Sequence, residues 1–333
     1  MTAKLRWGIL GASSWIARDA IMPGIDKSSN GQIVALGSRS PHKLARHGEA
    51  RLMTYEAMLA DPEVDAIYIP LPNSMHVEWA IRCAVAGKAV LLEKPLALDL
   101  AEASRIVEAF AKHNVPLMES FMYRFHPQHK RVRDLLESRV IGYIVEVRTH
   151  LSVDLMSPPD YTNIRMKPEL GGGALLDMGC YIVSSARMLF GEEPRAVRAW
   201  WKIDPVSGVD VAASALLEFS EGRTALVSCS FEGGANGMYS IIGRKGVIEV
   251  PRALILGLGT RTGEAAIITM DKDGHRSEEI LPDIDHYQLI VEAFAEAVLN
   301  GSPVPLPTSD SLNNMRVIDA FAQSAREGRE VRL

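Results

Sequence analysis

A carboxylate and a phenol stand four residues apart in "GGGALLDMGCYIVSSARMLFG" (171–191), at Asp177 and Tyr181. Their neighbours are apolar or small. After three glycines the stretch reads as a helix, and a spacing of four puts both side chains on one face. A phenol so placed can move a proton, and a positioned acid/base contributes about 10²–10⁴-fold to rate. A free tyrosine has a pKa of about 10, and a neighbouring ammonium favours the phenolate and lowers it. Taken alone, Tyr181 reads more readily as a buried aromatic with a satisfied hydroxyl. The second chemical cluster is Glu93-Lys94-Pro95 in "LLEKPLALDLAEA" (91–103). A cis peptide bond at Pro95 would bend the chain and aim Lys94 into a cleft.

These residues need elements to hold them. Up to Phe121, short apolar runs alternate with amphipathic stretches. "LRWGIL" (5–10), "QIVALGS" (32–38), "VDAIYIPLP" (64–72), "AVLLE" (89–93) and "VPLMES" (115–120) read as strands. A helix to about Ile25, "SMHVEWAIRCAVAGK" (74–88) and "AEASRIVEAFAKHN" (101–114) read as helices. Nearly continuous apolar strands alternating with helices mean a parallel sheet covered on both faces. Beyond it come a helix at 127–138, a strand at 144–152, the 171–191 helix and a run of strands. The runs are 196–203, 211–219, 223–231, 238–243 and 246–250, and helices follow near 286–299 and 309–327. The expected fold is therefore α/β. A doubly wound Rossmann domain (1–121) precedes an α+β domain (122–333) with a large, mostly antiparallel open sheet.

The bulk numbers agree with a soluble globular chain of two domains. There are 333 residues, 47% hydrophobic and 23% charged, enough to bury a full core. A net charge of −5 with scattered basic residues argues against nucleic acid. Cys83, Cys180 and Cys229 are odd in number and widely spaced, so neither a disulfide framework nor a zinc site is expected. A cytoplasmic location is the simplest reading. No signal peptide and no membrane span is apparent.

The first strand runs into "GASSWIA" (11–17). In a Rossmann unit, glycines here allow a tight turn and close approach of a pyrophosphate to a helix N-terminus. Gly11 is in place, Ser13 replaces the second glycine, and one extra residue precedes Ala17, which replaces the third. Gly11, Ala12, Ser13, Ser14, Trp15 and Ile16 are the expected cofactor turn; the alternative is an ordinary strand-to-helix loop. At the end of the second strand an acid would select NAD. "GSRSPHK" (37–43) has none. Ser38, Arg39 and Ser40 suit a 2′-phosphate, so NADP is expected, with NAD as the alternative. Arg39 could also be simply solvated.

Lys94 lies at the carboxyl end of a sheet strand, where ligands of open α/β sheets bind. Glu93 accompanies it. Pro70, Leu71, Pro72, Asn73 and His76 follow the third strand and should lie near the nicotinamide half of the cofactor. His76 could equally be a surface residue at a helix start. Tyr123, Arg124 and His126 sit at the domain junction, where a polar substrate would lie. His126 and His129 are spaced like a metal pair, but no third ligand is near, and no metal is expected.

The chain resembles the Gfo/Idh/MocA family of nicotinamide-dependent oxidoreductases. The resemblance spans essentially the whole sequence. It rests on "WGILGASSWIA", "DPEVDAIYIPLPNSMHVEWAIRCAVAGKAVLLEKPLAL", "ESFMYRFHPQHKRVR" and "GGGALLDMGCY". The resemblance implies that Lys94 is the lysine of the family's E-K-P. It also implies an aspartate followed four positions later by the acid/base, usually histidine; those positions are Asp177 and Tyr181. The tyrosine places the chain beside aldose and dihydrodiol dehydrogenases, glucose–fructose oxidoreductase and nucleotide-ketosugar C-3 ketoreductases. "YIPLPNSMHVEW", "HPQHKRVR" and "GVDVAASALLEF" look closest to the ketoreductases.

The expected activity is hydride transfer between NADP and a sugar, ketosugar or cyclic polyol. Tyr181 is the acid/base, Lys94 assists it, and Asp177 binds substrate hydroxyls or orients the pair. An aldose or trans-dihydrodiol dehydrogenase working oxidatively is the alternative. A non-catalytic dinucleotide-binding regulator is the reading from another class, and retention of Lys94 and Tyr181 argues against it. Trp200 and Trp201 point to opposite sides of their strand. An open sheet face then packs on a second subunit, as a homodimer or homotetramer, which the resemblance also implies.

Overall fold

The computed structural model describes residues 3–256 and 264–333. The chain forms two compact units. One comprises Met1–Phe125 with Asp285–Leu312, and the other His126–Ile284 with Asn313–Leu333.

The first unit is built on six parallel strands. They are β1 (Leu5–Leu10), β2 (Gly31–Gly37), β3 (Arg51–Met53), β4 (Ala66–Ile69), β5 (Ala89–Leu92) and β6 (Leu117–Glu119). Their order is β3-β2-β1-β4-β5-β6, with every pairing parallel. β4 and β5 are buried at every residue, as a sheet covered on both faces requires. The connection leaves β1 in opposite directions toward β2 and β4, so a switch point lies at the carboxyl ends of β1 and β4. The helix Leu100–His113 starts where the Asp99 side chain accepts from Glu102 N at 2.8 Å and stops at Asn114, whose φ is +53.

The helix His286–Asn300 belongs to this unit, not to the 122–333 domain the sequence suggested. Its Phe294 ring lies 5.4 Å from Trp7 of β1. Lys27 reaches Asp285 at 2.7 Å. A Cβ on Gly24 would lie 2.9 Å from the Tyr287 carbonyl carbon. The helix returns late in the chain to close the apolar face beside β1, and no local pattern announces that.

Among the described residues, the second unit carries nine strands: β7 (Ile144–Ser152), β8 (Ala196–Ile203), β9 (Asp210–Glu218), β10 (Thr224–Ser230), β11 (Asn236–Gly243), β12 (Gly246–Val250), β13 (Ala265–Asp271), β14 (Arg276–Leu281) and β15 (Val331–Arg332). Their order is β14-β13-β12-β11-β7-β10-β9-β8-β15. Among the described residues, β7–β10 is the only parallel pairing between these strands. Alternation sorts the faces: Val211, Ala213, Ala215 and Leu217 of β9 are buried, while Ser214 and Leu216 are exposed. The helix Cys180–Phe190 covers the buried face. Ser185 bonds Thr149 of β7 at 3.0 Å, and the Phe190 and Phe219 rings are 4.2 Å apart. Among the described residues, no helix is long and apolar enough to cross a membrane.

Candidate active site

In the first unit the candidate residues gather along the carboxyl edge of the parallel sheet. β1 is followed by Gly11, whose φ of +113 favours glycine, and an added Cβ would lie 3.0 Å from Leu71 Cδ2. The amides of Gly11 and Ala12 both donate to the Gly37 carbonyl, at 3.2 and 3.1 Å, tying the turn to the end of β2. Ser14 Oγ accepts from Ala17 N at 3.3 Å. Ser13 and Trp15 are exposed, Ser14 and Ile16 half-buried. The turn is followed by a π-turn, Ala17–Ile21, and the α-helix Met22–Lys27.

The loop after β2 is beside this turn. Ser38 Oγ accepts from Ser40 N at 3.1 Å, and Arg39 is exposed. No carboxylate stands in 37–43. The residues present thus fit a dinucleotide: a tight glycine turn that a Cβ would fill, a helix start behind it, and hydroxyls with a guanidinium at the ribose end.

The ends of β4 and β5 are joined by His76. The ring is fully buried; Nδ1 lies 3.0 Å from Pro95 O and Nε2 3.0 Å from Leu71 O. Burial pushes its pKa down to about 4. His76 is therefore a strut between two loops, which corrects the reading of it as a surface residue at a helix start. Pro70 is buried, and Leu71, Pro72 and Asn73 are half-buried. The Lys94–Pro95 peptide bond is cis. Glu93 is buried, accepts from Tyr68 OH at 2.5 Å and from Lys94 N at 3.2 Å, and burial raises its pKa. Glu119, which sequence reasoning passed over, accepts from Leu96 N at 2.8 Å. Two buried carboxylates and a histidine thus frame a half-buried Lys94. Tyr123 is fully buried with its ring edge-on to Phe121 at 6.0 Å, and Arg124 reaches Asp310 at 3.5 Å.

In the second unit, Asp177 and Tyr181 share one helical run, as expected, but its first turn is π. Leu175–Gly179 is a π-turn that continues as the α-helix Cys180–Phe190. Tyr181 is 4% exposed. Asp177 accepts from Arg165 Nε at 2.7 Å, so a guanidinium from the 154–170 loop sits on the carboxylate assigned to substrate. The glycines serve that same loop. A Cβ on Gly172 would overlap the Arg165 carbonyl, and one on Gly173 would overlap Asp210 Oδ1. His126 is buried and caps the helix Pro127–Glu137, its Nδ1 accepting from Gln128 N at 3.2 Å. His129 lies 3.0 Å from Tyr239 OH and 3.1 Å from Ala253 O, so both its ring nitrogens have partners. Asp271, Asp273 and His275 also approach one another. They form the exposed β13–β14 turn, where Asp271 Oδ1 accepts from two backbone amides.

Comparison with known proteins places this geometry. A family model described as "Oxidoreductase family, NAD-binding Rossmann fold" matches residues 5–121. One described as "GFO/IDH/MocA C-terminal domain" matches residues 129–249. The chain is 35% identical over 334 residues to D-xylose 1-dehydrogenase (NADP(+)) 2 of Haloferax volcanii, covering 99% of this chain and 100% of that one. A 3-ketoreductase from Actinomadura kijaniata, solved with NADP and TDP-benzene, superposes with a TM-score of 0.89 at 31% identity, covering 96% and 98%. An aldose-aldose oxidoreductase from Caulobacter crescentus, solved with glycerol, gives 0.88 at 29%, covering 99% and 100%. With both family models matched in chain order and relatives aligned from end to end, this chain belongs to the Gfo/Idh/MocA family of oxidoreductases.

Proposed function

We propose that the protein is an NADP-dependent oxidoreductase acting on a sugar, a ketosugar or a related cyclic polyol. The observation that carries the reading is the frame around Lys94 at the carboxyl edge of β5: His76 contacts the neighbouring Pro95 carbonyl, and buried Glu93 accepts from the Lys94 amide. That much fixed structure around one lysine suits a group that must meet a reacting oxygen at a set position. NADP, when bound, supplies or accepts the hydride at nicotinamide C4. The chain binds it through the Gly11–Ile16 turn, with Ser38, Arg39 and Ser40 at the 2′-phosphate.

Tyr181 holds the proton that the substrate oxygen gains or loses. Lys94, as an ammonium, lowers the phenol pKa and gives an electrophilic contact to the developing alkoxide. Asp177 bonds substrate hydroxyls while sharing its charge with Arg165. The ketosugar and aldose relatives both favour a polar, hydroxyl-rich substrate. The xylose dehydrogenase relative favours the oxidative direction as the second reading. The exposed face of the nine-stranded sheet packs against a second copy.

Turnover with NADPH or NADP over a panel of aldoses, ketosugars and dihydrodiols tests this. Lys94→Ala and Tyr181→Phe should keep cofactor affinity and lose about 10²–10⁴-fold in kcat. Near-normal rates in both would sink the mechanism.

A further inference from the structure

The helical run that carries Asp177 and Tyr181 has no cap of its own. Ala174 precedes it and offers no side-chain acceptor, so its first amides need partners from elsewhere. Asp210, at the start of β9, supplies one. Its Oδ2 accepts from Leu175 N at 2.7 Å, and the Ala174 amide also bonds this carboxylate. The site is built for it: Gly173 has a φ of +113, and a Cβ there would overlap Asp210 Oδ1. A carboxylate at a helix start complements the dipole and makes charge-assisted bonds.

The far part of the run is pinned independently. Asn314 Nδ2 donates to Cys180 O at 3.1 Å, and Arg187 holds Glu193 at 2.6 Å. Between these anchors lies the π-turn Leu175–Gly179. A π-turn is an α-helix with one residue too many. Were the start free to slip by one residue, the turn could revert to α. One residue of slip corresponds to a rotation of about 100°, enough to turn Asp177 away from the face that carries Tyr181.

We propose that Asp210 is the positioning residue for Asp177 and Tyr181, holding the start of their helix so that the π-turn persists. The inference rests on reading Tyr181 as the acid/base. Burial pushes the Asp210 carboxyl up to about 6 while the bonded amides pull it down, so it is ionised at neutral pH. The titratable groups around it are Cys229, whose thiol donates to Ala174 O at 3.5 Å and is raised far up by burial, and Asp177 paired with Arg165. The Cys229 thiol stays protonated near pH 6.

The test measures amide exchange at Leu175 and kcat in wild type and Asp210→Asn, a variant of the same shape. Asp210→Asn should bind NADPH as wild type does. It should exchange the Leu175 amide about tenfold faster at neutral pH and lose about 10–100-fold in kcat. The bonded amides lower the Asp210 pKa, so a local opening that breaks them with the carboxyl still buried takes up a proton. In wild type, after correction for intrinsic exchange, protection at Leu175 should therefore decline as the pH falls through about 6, and the variant should show no step. The wild-type titration needs no variant, so a misfolded variant does not block the test. Unchanged protection in the variant, no step in wild type, or faster exchange with full kcat would each overturn the inference. The exchange readout does not depend on turnover. Full activity in Tyr181→Phe would instead defeat the functional reading and leave the capping result standing.

Discussion

At the scale of single residues, charge at the cofactor edge decides more than shape. Arg39 is exposed and stands between two half-buried serines after β2. A hydrogen bond to a charged group is worth about 1.5–3 kcal/mol. Arg39→Ala should therefore raise KM for NADPH by about tenfold or more and leave KM for NADH nearly unchanged. Initial rates with the two cofactors measure this, and equal effects on both would remove Arg39 from the 2′-phosphate. Asp177 is a residue whose type was legible and whose partner was not. Its place four residues before Tyr181 is written in the sequence. Arg165 reaches it from twelve residues earlier, through a fold-back of the loop onto Gly172 and Gly173.

At the scale of elements, His76 joins the loops after β4 and β5. Burial outweighs its two carbonyl contacts and holds its folded pKa at about 4, below the ordinary 6.5. The unfolded chain therefore binds a proton first as pH falls. Stability contributed by neutral His76 is full above about 6.5 and is lost as pH falls toward about 4. The loss is at most on the order of 3 kcal/mol. Denaturant melts at stepped pH should show this slope in wild type and a shallower one in His76→Asn. Parallel slopes would mean that another group carries it. The eleven strands that read as apolar or alternating runs, β1, β2 and β4 to β12, were legible because period and burial agree. β3 was not, being three residues with an exposed or half-buried pattern. β14 was not either, since five of its six residues are exposed and polar residues predominate. The π-turns escaped for a different reason: each depends on what pins its ends, and Asp210 lies 35 residues from Leu175.

At the scale of the whole molecule, the outer face of the nine-stranded sheet is the proposed contact between copies. Across β8, β9, β10 and β7 the register aligns Arg198, Leu216, Leu226 and Arg148. The next row aligns Trp200, Ser214, Ser228 and His150. Trp200 is 59% exposed there, and Leu226 43%. Trp201 points to the opposite face, toward Arg326 at 6.0 Å. Trp200, Leu216 and Leu226 beside Ser214 and Ser228, with Arg198, Arg148 and His150 at the ends of the rows, suit a flat self-contact with a polar rim. Trp200→Glu with Leu226→Glu should shift the protein to monomer in light scattering. A wild-type monomer, or a double variant that stays assembled, would reject this face as the contact. The placement of His286–Asn300 with the first unit was likewise illegible locally, because Phe294 finds Trp7 across most of the chain.

The central claim is that Tyr181, assisted by Lys94, moves the proton that accompanies hydride transfer. The direct measurement is a single turnover of enzyme-bound NADPH with an accepted ketosugar or, in reverse, NADP with an aldose, followed across pH. Wild type should show a rate governed by an ionisation well below the ordinary tyrosine range of about 10. Tyr181→Phe should lose that ionisation and about 10²–10⁴-fold in rate, and Lys94→Ala should move it upward. An unchanged pH profile in Tyr181→Phe, at a rate near wild type, would contradict the account.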